Sequence, residues 1–218
     1  MHVIFRESHS LDETATPIDL DQAPADLIVL SFSDSDLGAF AAGWHLGKSE
    51  LPTTRLANLV SLRHPLSVDT YVQKTLGGSR AILIRLIGGM SYWPYGLQQT
   101  RQLAEEKGIA LAVLPADGRN DKQLDEISTL PMSTLRHLAM LCDIGGAEAT
   151  KAALEQLALA AGLYAKPTLV TKTLPKFGSW TTKGGVSQPE TKVFRSGKKP
   201  LVIISFYYSF LTSADLDP

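Results

Sequence analysis

Apolar residues in this chain gather in short continuous runs, and the stretches between them repeat at helical spacing. Leu27-Ile28-Val29-Leu30 with Phe32, Ile82-Leu83-Ile84, and the run from Ile109 to Leu114 are too short for helices and rich in β-branched side chains. Such runs predict strands buried on both faces. His2 to Phe5 predicts a first strand of the same kind, Leu56 to Leu62 another despite Arg55 and Asn58, and Leu201 to Phe206 a last one. Ser33-Asp34-Ser35-Asp36 has the form of a capping box ahead of Leu37, Phe40, Ala41 and Trp44, in a helix that Gly43 and Gly47 should stop near Trp44 or His45. Ser67 is placed to cap a helix carrying Val68, Tyr71, Val72 and Thr75, closed by Gly77-Gly78. Pro94 and Gly108 bracket a helix in which Leu97, Arg101 and Ala104 recur. A loop with a short helical piece follows from Asp121 to Leu130. Beyond it, Ser133 is placed to cap a helix burying Leu135, Leu138, Ala139 and Cys142, and a further helix starts near Ala147, with Leu154, Leu157, Ala158 and Ala161 on one stripe and Gly162 at its end.

Strand, helix, strand is the repeating unit, most completely between Arg80 and Arg119. Buried strands joined by helices require a parallel sheet covered on both faces. The predicted fold is therefore α/β, a mainly parallel, doubly wound sheet of the Rossmann or flavodoxin type, over residues 1–165. Residues 166–199, rich in Pro, Gly, Ser, Thr and Lys, read as a basic flexible linker or loop. Residues 200–218 contain a strand that starts or completes a further α/β unit, without the crossover helix a parallel strand needs. The expectation is the amino-terminal piece of a longer polypeptide.

A net charge of −1 gives no general attraction to nucleic acid or anionic membranes. The charge is uneven: Asp and Glu crowd the first 36 residues, while Lys and Arg dominate 166–199. Cys142 is the sole cysteine, which excludes an internal disulfide and a thiolate zinc site within one chain. Neither a signal peptide nor a run approaching the ~20 apolar residues of a membrane span is visible, so the expected location is cytoplasmic. GxxxxGK[ST], GxGxxG and GxSxG are all missing, and the five histidines show no metal-ligand spacing. No catalytic residue, metal site or cofactor is assigned to the chain itself, and any use of ATP belongs to partners.

Ligands of open parallel sheets bind beyond the carboxyl ends of the strands. The polar residues expected there include Asp34 and Asp36, Arg63 and His64, Arg85 with the Gly88-Gly89 turn, Asp117 and, after the first and last strands, Glu7, His9 and Tyr207. Arg85 stands out, because a guanidinium inside an apolar strand requires carboxylate partners or a ligand. Trp93 and Tyr95, beside the two glycines, could stack on a flat ring. Each has an ordinary structural alternative: helix capping for Asp34 and Asp36, a turn at Asp117, core packing for the aromatics, and an internal ion pair between Arg85 and one of the acids.

The segments MHVIFRESH, ADLIVLSFSDSDLGAFAAGW, RHPLSVDTYV, ILIRLIGG with YWPYGLQQ, IALAVLPADGR and, later, KPLVIISFYYSFLTSADLDP resemble the amino-terminal region of the large subunit of aerobic cobaltochelatase, the CobN type. That family is related to the magnesium chelatase large subunit. The resemblance implies ATP-dependent insertion of Co(2+) into hydrogenobyrinic acid a,c-diamide on the aerobic route to cobalamin. It also implies partner ATPase subunits using ATP and Mg(2+), and a large subunit that holds the tetrapyrrole. The family's subunit is several times longer than this chain, so no catalytic residue carries over, and this piece is expected to be a scaffold, docking or ligand-enclosing module. Two other readings stay open: a magnesium chelatase large subunit acting on protoporphyrin, and a free-standing module for small anions.

Overall fold

The computed structural model describes residues 16–170, 177–181, 185–187, 204–207 and 209–213; the strand expected at His2–Phe5, with Glu7 and His9 after it, lies outside them. Four parallel strands form the sheet, β1 (Leu27–Ser31), β2 (Thr54–Asn58), β3 (Ala81–Leu86) and β4 (Ala110–Pro115), in the order β2-β1-β3-β4. The helices are α1 (Asp34–Leu46), α2 (Pro65–Lys74), α3 (Pro94–Lys107), α4 (Lys122–Ile127), α5 (Met132–Ile144), α6 (Gly146–Ala160) and a short α7 (Ser209–Thr212). The expected α/β fold with a parallel sheet is the one observed.

Alternate strand residues feed two cores. Val29, Leu83, Ala112 and Leu114 pack on one face with Phe40 of α1, Leu138 of α5 and Leu154 and Leu157 of α6. Ile28, Leu30, Ile82, Ile84, Leu111 and Val113 pack on the other with Tyr71 of α2, Leu97 of α3 and Leu124 of α4. This double burial is why the strands read as unbroken apolar runs. Helices α1 and α6 approach closely where Gly43 stands against Thr150, whose Oγ1 donates to the Ala39 carbonyl at 2.7 Å.

Several local expectations are corrected. β2 ends at Asn58 because its side chain accepts from the Val60 amide at 2.9 Å, which bends Leu59–Leu62 into a 3-10 turn. Ser67 does not cap α2. Pro65 presets the first helical residue, His64 Nδ1 accepts from the Leu66 amide at 3.1 Å, and Ser67 Oγ accepts from Ile18 N at 2.7 Å. Ser133 lies inside α5, whose N-cap is Pro131 without a side-chain hydrogen bond. Arg101 points outward to Glu105, leaving Leu97, Thr100 and Ala104 as the buried face of α3. Part of the presumed linker is paired: β5 (Ser179–Thr181) and β6 (Gly185–Ser187) form an antiparallel two-stranded sheet. Ile204 to Tyr207 is exposed and outside any strand, so the described half of the run from Leu201 to Phe206 is not a buried strand. Leu201–Ile203 lie outside the described residues.

The outer edge of β4 is closed by side chains. Ser128 Oγ accepts from Val113 N at 2.9 Å, and Thr129 Oγ1 accepts from Leu111 N at 2.8 Å. The Thr129 amide returns a bond to the Leu111 carbonyl at 2.9 Å.

Candidate functional site

From β1 the chain moves outward to β2, then crosses back to place β3 on the other side of β1. The loops leaving β1 and β3 therefore diverge and open a crevice at the carboxyl edge between them. Ser31 and Arg85 are register partners at this edge. Above them opens a cleft of about 280 Å³, walled by Asp36 and Phe40 of α1, Arg85, Ala116, Cys142 and Asp143 of α5, and Thr150 of α6, with Thr212 and Ser213 beside it. Gly145, at the corner between α5 and α6, makes room for that last contact: a Cβ there would lie 2.7 Å from Thr212 Cβ.

Arg85 is 5% exposed. Its Nη1 donates to Asp36 Oδ1 at 2.8 Å and its Nη2 to Asp143 Oδ1 at 3.1 Å, while Nε is buried without a partner. Asp36 Oδ2 accepts from Ser31 Oγ at 2.9 Å, and Ser31 Oγ accepts from the Ser33 amide at 3.0 Å. These bonds draw the Asp36 carboxylate away from the capping box. Only half of the box forms, Ser33 Oγ accepting from the Asp36 amide at 3.2 Å. Burial pushes the Asp143 carboxyl above the usual carboxylate range, partly offset by Arg85 and reinforced by Asp36. Burial likewise pushes the Cys142 thiol up to about 11.

Others of the expected site residues are dispersed around the rim. Asp34 accepts from Asn58 Nδ2 at 2.6 Å, and His64 is the cap of α2. Gly88 and Gly89 have φ of 87° and 80° and form the turn after β3, with the Tyr92 ring lying over Gly88. Trp93 is buried, donating from Nε1 to the Leu62 carbonyl at 2.7 Å, and Tyr95 donates to Asp69 at 2.7 Å. They form no stacking platform with the glycines. Asp117 pairs with Arg119 at 2.6 Å, which holds its carboxyl below the usual range. Of the residues the sequence offers, the structure brings together Asp36 and Arg85. It adds Ser31, Thr150 and Asp143. Asp143 had one legible signal, a negative charge in the last turn of a helix, where the macrodipole disfavours it.

No profile of a known protein family matches the chain. Over its full length it is 32% identical, in an alignment of 227 residues, to the aerobic cobaltochelatase subunit CobN of a Sinorhizobium species. It is 37% identical over 129 residues to the CobN subunit of Pseudomonas aeruginosa, an alignment covering 59% of this chain. This is a CobN-like chain. The solved catalytic subunit of cobaltochelatase from Mycobacterium tuberculosis shares the fold, with a TM-score of 0.58 and 20% identity over 87% of the CobN-like chain and 14% of that structure. The CobN-like chain spans 18% and 10% of the two sequence relatives. None of its described helices is long and apolar enough to cross a membrane.

Proposed function

We propose that this chain is the amino-terminal part of a cobaltochelatase large subunit and serves it as a scaffold and docking module. The observation that carries the reading is similarity to CobN along the whole chain at 32% identity. In the complete cytoplasmic assembly the subunit encloses hydrogenobyrinic acid a,c-diamide and Co(2+), and partner ATPase subunits drive insertion of the metal. The module contributes rigidity: a sheet packed on both faces, with loops gathered at one edge where the rest of the subunit can be met.

The test is replacement. In the Sinorhizobium subunit, the region aligned with this chain is deleted, or exchanged for it, and cobalt insertion is followed by absorbance with the ATPase subunits present. The deletion should abolish insertion and the exchange should restore it. A folded exchange variant that binds its ATPase partners yet inserts no cobalt would overturn the assignment.

A further inference from the structure

Arg85 leaves part of its guanidinium unused. A guanidinium can grip a carboxylate through two parallel bonds, and one edge suited to this is formed by Nε and Nη2. On that edge Asp143 takes Nη2 alone, at 3.1 Å, and the buried Nε–H has no acceptor. A buried donor left unmatched is destabilising, because it gives up its bond to water without replacement. Asp36 does not fill the gap: one of its oxygens takes Nη1 and the other Ser31 Oγ, and neither bonds Nε. Asp143 is the looser acid: its side chain is 47% exposed, against 19% for Asp36. It needs only to turn outward to leave a complete two-donor edge behind.

We propose that the Nε/Nη2 edge of Arg85 is a carboxylate-receiving site for which Asp143 is a displaceable placeholder. The incoming carboxylate takes both donors, Asp143 swings into water, and Asp36 keeps its bond to Nη1. The guanidinium faces two carboxylates before and after, so the exchange leaves its pairing balanced and gains the missing hydrogen bond. At about 280 Å³ the cleft is just smaller than ordinary ligand sites, which run roughly 300–1,000 Å³. It suits an acid of a few carbons, or one acid arm of a larger molecule whose body stays outside. Phe40 and Ala39 offer the carbon chain an apolar wall. The inference stands independently of the proposed role in cobalt insertion.

The experiment follows the Arg85 Nε–H signal of the ¹⁵N-labelled 218-residue chain by NMR, assigned by its loss in Arg85→Lys. Succinate is titrated into the parent chain, Asp143→Asn and Arg85→Lys, with sodium chloride at matched ionic strength as the reference. The expected result is a saturable shift of that signal in the parent chain. Asp143→Asn removes the competing charge and should need about tenfold less succinate, equivalent to ~1.4 kcal/mol. Arg85→Lys keeps a cation for Asp36 but has no two-donor edge, and its remaining signals around the cleft should show no saturable shift. Coproporphyrin, whose acid arms project from a macrocycle, is titrated in parallel. A response to both ligands marks a site for acid arms, and a response to succinate alone marks a site for small acids. Should Arg85→Lys fail to fold, the signal is assigned by triple-resonance experiments, and the parent and Asp143→Asn decide the matter. No saturable shift in either of them, or an equal shift with chloride, overturns the proposal.

Discussion

Cys142 and Asp143 are neighbours on the cleft side of α5, and burial raises the pKa of both. The thiol is 6% exposed, and its pKa is raised from 9.0 to about 11 by desolvation, with Asp36 and Asp143 adding to the effect and Arg85 opposing it. Because the folded value lies above the unfolded one, the native state holds the extra proton between the two. Its contribution is complete below pH 9 and is lost as the pH climbs through 11, a change on the order of 2 kcal/mol. Urea unfolding of the parent chain and Cys142→Ala at pH 8 and at pH 11 should show a smaller alkaline loss in the variant. Equal losses would contradict the assignment. At this scale the sequence reveals that Arg85 needs partners, since a guanidinium in an apolar strand cannot stand alone. It does not reveal which acids answer. Asp36 lies 49 positions away and Asp143 58, and only the sheet register and the packing of α1 and α5 bring them together. Trp93 and Tyr95 mislead for the opposite reason, because adjacency in sequence puts one in the core and turns the other toward Asp69.

Among the elements, the pairing of α1 with α6 has little tolerance. A Cβ on Gly43 would stand 2.6 Å from Lys151 N and 2.9 Å from the Thr150 carbonyl carbon, both main-chain atoms that cannot rotate away. Gly43→Ala should therefore cost about 1–3 kcal/mol by overpacking, although alanine favours a helix over glycine. The check is a thermal melt beside Gly118→Ala, where φ is +72° but nothing lies within 4 Å and the penalty is conformational only. If Gly43→Ala melts no lower than its parent, the close approach is not real. The strands and main helices were legible because burial on both faces writes an unbroken apolar run, and helix stripes repeat every three or four residues. Caps were less legible. Ser67 and Ser133 have the right chemistry, but the chain enters each helix through a proline, at Pro65 and Pro131, and the hydroxyl of Ser67 serves Ile18 instead. The end of β2 hinged on one Asn58 side chain, which an apolar count passes over.

As a whole, the body from Ala25 to Ala165 has two cores divided by one sheet, and every strand belongs to both. Neither core can lose its packing while the other keeps the sheet, so unfolding should be a single cooperative event. Trp44 borders one core and Trp93 lies in the other. With Trp180 of β5, which lies outside both cores, replaced by Phe, tryptophan fluorescence and far-ultraviolet circular dichroism should accordingly give superimposable urea transitions, and separated midpoints would mean that the faces melt independently. The hydroxyl groups along the flank of β4 have a further consequence. With those main-chain amides already engaged, a foreign strand has nothing to zip onto there, and copies of the molecule cannot polymerise along that side in the manner of fibrils. Any neighbour in a larger assembly has to meet this flank through surface side chains, as two finished walls abut.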